Sequence, residues 1–234
     1  MTFDLERARR ATPARLNVGR AGARPRTATW LQFQRDHAAA QDAVWSEWSP
    51  PFLDRLCDLG FVLVTSSAAN RLTYIRQPPL GRHLPPAELD RIRAQSPERV
   101  AIQLVLSDGL SAHAAEAHFE RLYPTLRNHL KRLGTLGVPV AVRNGRVAVA
   151  DAIGEVAGAQ LVVHLIGERP GLGTADSLGC YLTFHPGPST TDADRKCVSN
   201  IRPLGLSPDE AGATIAGICR RILERESSGT DLEL

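Results

Sequence analysis

The alternation of strand and helix patterns in residues 100–142 constrains the fold more than any other feature. Residues 100–106 form an apolar run of strand length, and residues 138–142 form a second one. Between them, apolar residues recur at steps of four and three, which predicts an amphipathic helix over residues 111–133. A strand, a helix and a strand in this order are typical of parallel strands joined by a crossover helix.

The remaining segments extend this pattern in both directions. Apolar runs predict further strands over residues 61–64, 161–166 and 181–184, and apolar spacing predicts helices over residues 52–59 and 151–159. A last helix is marked by Ser207 as N-cap, Pro208 at its first position and Glu210 completing a capping box. Residues 78–86 contain four prolines and predict a linker, and the polar tail after Ser227 is expected to fray. We therefore predict an α/β fold over residues 51–234, with a mainly parallel, Rossmann-like sheet and helices on both faces.

Residues 1–50 form a separate, basic N-terminal segment in this prediction. Asp4 is expected to cap a first helix that runs towards Val18, and a second helix begins near Thr27. Residues 1–35 contain eight arginines, no lysine and only two acidic residues. Such a segment is a solvated arm, a docking element for an acidic protein surface or a nucleic-acid contact. The lack of aromatic residues among the arginines before Trp30 argues against a platform for single-stranded nucleic acid.

Composition indicates an intracellular protein. The formal net charge is only +3, and no apolar run is long enough to span a bilayer or to form a signal peptide. None of the four cysteines belongs to a CxxC pair, so we expect reduced thiols and no structural zinc site. We therefore predict a cytoplasmic location and no membrane association.

Three loops that follow predicted strands carry polar and glycine residues. They span residues 107–111, 144–147 and 167–173. Because ligands of parallel sheets bind beyond the carboxyl ends of the strands, we expect these loops to form the rim of one site. The GxG of residues 171–173 lacks the third glycine of a dinucleotide fingerprint, so it fits a simple turn as well as a binding loop.

The candidate catalytic residues do not form a complete set. Asp108 fits a catalytic carboxylate or the cap of the following helix. Arg195 and Lys196 could favour the thiolate of Cys197, although exposed cations often lie beside inert cysteines. His164 lies in an apolar strand and is expected to be a hydrogen-bonded core residue, and three further histidines are expected on the solvent face of a helix: His113, His118 and His129. The residues alone therefore favour a binding or accessory subunit.

Four motifs in these segments resemble one known family. They are RAGARPR at residues 20–26, VLSDGLS at 105–111, IGERPGLGTADSLGCYLTFHP at 166–186 and DADRKCVSNI at 192–201. Their length and order resemble the small subunit of ethanolamine ammonia-lyase over nearly the whole chain.

The resemblance implies a subunit of an enzyme that converts ethanolamine to acetaldehyde and ammonia by radical chemistry from adenosylcobalamin. It implies that a large TIM-barrel subunit binds the substrate and carries most catalytic residues. Because basic, weakly amphipathic segments commonly need a partner surface, we expect residues 1–50 of this chain to dock on that subunit. It also implies an assembly of six large and six small chains. Many family members that enter bacterial microcompartments carry a longer N-terminal extension, whereas this sequence starts almost at the first family motif. We therefore expect a cytoplasmic location, with a microcompartment as the alternative.

The family's cobalamin contacts in the small subunit fall here on Val147, Glu168 and Cys197, and the resemblance assigns no catalytic residue and no metal ligand to this chain. The DxHxxG motif of cobalamin enzymes that supply a histidine to cobalt is absent, so we expect the cofactor to keep its own base. The alternative to the lyase hypothesis is a nucleotide- or nucleic-acid-binding protein that uses the arginine-rich arm. The lyase hypothesis itself predicts no nucleic-acid partner.

Overall fold

A six-stranded sheet organises the computed structural model, which describes residues 4–12, 14–96 and 99–232. Its strands are β3 (Val62–Thr65), β4 (Ile102–Ser107), β5 (Val140–Arg143), β6 (Leu161–Gly167), β7 (Leu178–Phe184) and β8 (Arg195–Ile201). They lie in the order β3-β5-β4-β6-β7-β8. The first four are parallel, and β7 and β8 add antiparallel strands at one edge. The prediction of an α/β fold with a mainly parallel sheet is confirmed.

Both faces of the sheet are covered by helices because its strands are apolar on both sides. In β4, Leu104 and Leu106 belong to one core, and Val105 belongs to the other. The first core is closed by α3 (Pro50–Asp58), α6 (Ala112–Leu130) and α8 (Pro208–Arg225). The second core is closed by α5 (Pro86–Gln95) and α7 (Val149–Val156).

The strand order places a topological switch between β4 and β6. The chain passes from β4 to β5 on one side and then crosses to β6 on the other side. The loops after β4 and β6 meet there, since the Leu110 N–H donates to the carbonyl of Gly167 at 2.9 Å. This contact joins the two loops directly at the switch.

The N-terminal segment is helical but shorter in its first helix than predicted. Asp4 caps α1 (Leu5–Ala11), which ends at Thr12, well before Val18. A short hairpin of β1 (Arg20–Ala21) and β2 (Arg24–Pro25) then leads into α2 (Thr27–Trp45). Only Ala43 of α2 is buried, so this helix has almost no apolar contact with the rest of the chain.

Two other predictions about connecting segments were wrong. The predicted linker, residues 78–86, is folded. It lies between α4 (Arg71–Arg76) and α5, and it contains a 3-10 helix at Pro78–Arg82. Proline suits the first turn of a helix, which is where Pro78 and Pro86 stand. The predicted frayed tail forms a 3-10 helix at Gly229–Asp231, and Leu232 behind it is buried. Among the described residues, no helix combines the length and the apolar character that a membrane crossing requires.

Candidate functional site

Two adjoining clefts lie at the carboxyl ends of the parallel strands. The loop cleft, of about 370 Å³, is lined by residues of the three predicted rim loops and by two tyrosines: Tyr74, Leu110, Arg146, Val147, Ile166, Gly167, Glu168, Arg169 and Tyr181. The strand cleft, of about 520 Å³, is lined by Pro78, Pro79, Arg82, Arg146, Val147, Ala148, Tyr181, Asp192, Arg195 and Cys197. Arg146, Val147 and Tyr181 line both clefts. The structure thus brings Val147, Glu168 and Cys197 to one continuous surface.

Val147 is held in place by a tightly bonded loop, residues 144–147. Asn144 adopts a left-handed conformation with φ of 58°, and its side chain donates to the carbonyl of Ala68 at 3.0 Å. Ser66 Oγ donates to the Asn144 carbonyl at 2.7 Å, and Tyr74 Oη donates to the Gly145 carbonyl at 3.2 Å. Every residue of the turn before Val147 is therefore fixed by a neighbour outside it.

Asp108 supports this loop from below and does not cap the following helix. Its carboxylate accepts the backbone N–H groups of Asn144 at 2.8 Å and Gly145 at 3.2 Å. It also lies 3.6 Å from the guanidinium of Arg71, and both side chains are about 95% buried. Burial raises the pKa of Asp108 to about 6, against the lowering effect of Arg71 and of the N–H donors. The cap of α6 is Ser111, so the interpretation of Asp108 as a helix cap was wrong.

His164 is a hydrogen-bonded core residue, as predicted, and it also holds Val147. Its Nδ1–H donates to the Val147 carbonyl at 3.2 Å, and its Nε2 accepts from Ser107 Oγ at 2.7 Å. Burial lowers its pKa to about 3, so the ring is neutral at physiological pH. A neutral ring with both nitrogens bonded is a support and not a base.

Glu168 lies near the start of the third rim loop, residues 167–173, at the edge of the loop cleft. Its Oε2 accepts from the hydroxyl of Ser177 and from the backbone N–H of Asn200 at 3.2 Å. Its Oε1 lies against Gly179, where a Cβ would come within 2.9 Å. In the part of the chain that the structure describes, no ion pair joins Glu168 to Arg169 or Arg146. One carboxylate oxygen therefore has no hydrogen bond to the described residues.

Cys197 lies on β8, opposite Tyr181 of β7, and its side chain is exposed. The neighbouring cations do not activate it: Arg195 pairs with Asp151 at 2.8 Å, and Lys196 Nζ donates to the Leu232 carbonyl at 3.0 Å. Partial desolvation raises the pKa of Cys197, although the Tyr181 hydroxyl lowers it by hydrogen bonding. The thiolate hypothesis is therefore not supported, and Cys197 presents a neutral thiol.

Tyr74, Arg146 and Tyr181 are site residues that the sequence analysis did not identify. Arg146 was visible in the Asn-Gly-Arg-Val turn, but only as part of a loop. Tyr74 lies just before the segment interpreted as a linker, and Tyr181 is the first residue of a predicted strand. No sequence pattern marks them, because their role depends on where the sheet brings them.

The three histidines predicted on the solvent face of α6 differ in exposure, and His129 is half-buried. His113 is exposed, as expected, but His118 is buried, and its Nε2 lies 2.7 Å from the Asp176 carbonyl. The prediction for His118 was wrong because the loop before β7 covers that face of α6. Within the described ranges, no group of three or more His, Cys, Asp or Glu side chains is arranged to hold a metal ion.

Comparison with known protein families identifies the chain. The family described as ethanolamine ammonia-lyase light chain (EutC) matches residues 4–233. This match covers nearly all of the 234 residues, including every element that builds the two clefts. The chain therefore belongs to the ethanolamine ammonia-lyase light-chain family.

Proposed function

We propose that this ammonia-lyase subunit helps to hold adenosylcobalamin at an interface with a large catalytic subunit. The complete enzyme would convert ethanolamine to acetaldehyde and ammonia, and the bound cofactor supplies the radical through its cobalt–carbon bond. The observation that carries the proposal is the convergence of Val147, Glu168 and Cys197. These residues come from three separate elements, and they line two clefts that share Arg146, Val147 and Tyr181.

The chemistry of the clefts fits a corrin edged with amides. Val147, Pro78 and Pro79 offer apolar contact. The Oε1 atom of Glu168 can accept a hydrogen bond from an amide N–H. The neutral thiol of Cys197 allows close packing without reacting. These residues would bind and orient the cofactor and exclude water from it.

The size of the clefts supports a shared site. Adenosylcobalamin is much larger than either cleft, whose volumes are about 520 and 370 Å³. This chain can therefore contact one side of the cofactor, and a partner must cover the rest. Two groups that could act as bases are withdrawn from the clefts: His164 is neutral and buried, and Asp108 is buried and hydrogen-bonded to the backbone of residues 144 and 145. This supports the assignment of the catalytic residues to the large subunit.

We further propose that residues 1–50 dock on the large subunit and that residues 51–234 form the cobalamin-contacting domain. The exposed apolar residues of α2 support this division, since Trp30, Leu31 and Trp45 are all more than half exposed. An assembly of six large and six small chains, located in the cytoplasm or in a bacterial microcompartment, completes the proposal. Deleting residues 1–26 should weaken co-purification with the large subunit while the α/β domain stays folded by circular dichroism. Normal assembly of the truncated chain would show that the arm is a solvated tail.

The direct test is reconstitution. The isolated chain, mixed with adenosylcobalamin and ethanolamine, should release no acetaldehyde. Addition of the large subunit should restore turnover, and omission of this chain should abolish it. Robust turnover by the isolated chain would refute the subunit assignment.

A further inference from the structure

Arg146 occupies the junction of the two clefts in a fixed conformation. Its guanidinium lies over the ring of Tyr74, 4.3 Å from the centroid, and its Nη2 donates to the Tyr74 carbonyl at 3.3 Å. Its side chain passes directly over Gly81, where a Cβ would come within 2.8 Å of Arg146 Cγ. A glycine at position 81 is thus required for this path, and the guanidinium is positioned before any ligand binds.

The charge of Arg146 is not neutralised by the described residues. The two buried arginines nearby have carboxylate partners: Arg71 pairs with Asp108, and Arg195 pairs with Asp151. No carboxylate lies within 4 Å of Arg146 in the described ranges, and its buried Nε has no hydrogen-bond partner there. An arginine that is rigid, partly desolvated and unpaired is suited to an anionic ligand.

The charges and donors around Arg146 also favour an anion. Three arginines and one aspartate line the strand cleft. The backbone N–H groups of Val147 and Ala148 have no hydrogen-bond acceptor among the described residues, and both residues line that cleft. They lead into α7, whose N-cap has no side-chain bond. A guanidinium beside free N–H groups at a helix start is a favourable environment for a phosphate.

We propose that Arg146 binds the phosphodiester of the cofactor's nucleotide loop, an inference that rests on the proposed cobalamin-binding function. The peripheral side chains of a cobalamin are neutral amides, and the phosphodiester is its anionic group. Amide carbonyls could satisfy donors, but only the phosphodiester supplies the counter-charge that Arg146 lacks. The site would therefore distinguish corrinoids that carry the phosphate from those that lack it.

The experiment compares two probes that differ by a phosphate at the same position, cobinamide phosphate, which carries it as a monoester, and cobinamide. Their affinities are measured on the full chain assembled with the large subunit. The assembled enzyme should prefer cobinamide phosphate by about 10- to 100-fold, the range expected for a charged hydrogen bond. Arg146→Gln should reduce this preference at least about fivefold and leave the affinity for cobinamide within about threefold. Arg220→Gln removes the same charge from an exposed position on α8, away from both clefts, and should retain the preference.

The outcomes separate this inference from the function on which it rests. An unchanged preference in Arg146→Gln, or an equal loss in Arg220→Gln, would overturn the subsite while leaving cobalamin binding intact. Failure of the unmodified complex to bind either probe would overturn the cobalamin proposal itself. If Arg146→Gln does not assemble, Arg146→Lys keeps the charge but loses the planar fork, and it should still show a reduced preference. Full preference in the lysine variant would contradict the proposal.

Discussion

The two loops that carry Val147 and Glu168 are built in opposite ways. Residues 144–147 are bonded to five elements or loops around them, including Asp108 below and His164 behind. In the second loop, the tip at residues 169–174 is mostly exposed, and its only described backbone hydrogen bonds join Gly171 and Thr174 to each other. Leu172 at this tip is 44% exposed. One loop is preformed, and the other has few contacts within the chain.

This difference indicates that the two loops have different roles at the candidate site. A preformed loop costs no ordering entropy when a ligand binds, so it suits the residues that set ligand position. A loop with few internal contacts can adjust to a ligand or to a partner chain and is stabilised by them. Substitution of the residues that support residues 144–147 should therefore lower the free energy of unfolding. Substitution of the residues in the second loop should weaken ligand binding.

The largest expected effect comes from Asp108→Ala. It leaves the buried guanidinium of Arg71 without a counter-charge and removes the acceptor for two backbone N–H groups. Breaking a buried pair in this way costs about 3–5 kcal/mol. Urea denaturation of the purified chain should show this loss of unfolding free energy.

The matched control for this variant is Asp90→Ala. Asp90 also pairs with an arginine, but its side chain is 70% exposed, so the loss should stay below about 1 kcal/mol. Similar losses in both variants would contradict the idea that the first loop rests on a buried support.

Glu168→Gln should affect cobalamin binding more than stability. The variant keeps the shape of the side chain and one acceptor for Ser177 and Asn200, but it removes the charge. Losing a charged hydrogen-bond partner costs about 1.5–3 kcal/mol. The cobalamin requirement of the reconstituted complex should rise about 10- to 100-fold, with little change in melting temperature.

Glu120→Gln serves as the control for Glu168→Gln because Glu120 is exposed and pairs with Arg55 away from the clefts. It should leave the cobalamin requirement unchanged. If Glu168→Gln instead unfolds the chain while the folded fraction binds cobalamin normally, Glu168 is a structural residue.

The smallest expected effect is a pH dependence that arises from His164. Its pKa is about 3 in the folded chain and near 6.5 when unfolded, so below pH 6.5 the unfolded state binds the extra proton. Stability from this residue is therefore present above pH 6.5 and is lost as pH falls. Between pH 7 and pH 5 the loss should be about 2 kcal/mol. His164→Gln should lack this component, and parallel pH profiles for the two proteins would contradict the buried neutral ring.

The elements of the sheet could largely be predicted from sequence because apolar periodicity reports burial directly. Ser207 was also confirmed as the N-cap of α8, since its Oγ accepts from the Glu210 N–H at 3.3 Å. The predicted capping box is only half formed, because the Glu210 carboxylate accepts from Ser207 Oγ at 2.7 Å and not from the Ser207 backbone N–H. Strand β8 was missed because its buried residues are Arg195, Val198 and Ile201. The register between β7 and β8 shifts between Leu178 and Cys180 of β7. This shift breaks the two-residue period on which strand prediction depends.

The candidate site could be predicted only as a set of loops. The sequence placed three polar loops at strand ends, and the structure confirms that they share one edge of the sheet. The pairing of Asp108 with Arg71 and the stacking of Arg146 on Tyr74 join distant segments. Such contacts leave no local pattern, so a buried carboxylate was interpreted as a cap and an arginine as part of a turn.

The central claim, that this chain contacts cobalamin through these two loops, is tested most directly by hydrogen exchange. The complex with the large subunit is compared with and without cyanocobalamin. We expect cobalamin to slow exchange in residues 168–174 and at the amides of Val147 and Ala148, with no change in the buried helix α8. Cobalamin binding that leaves both loops unprotected would contradict the account.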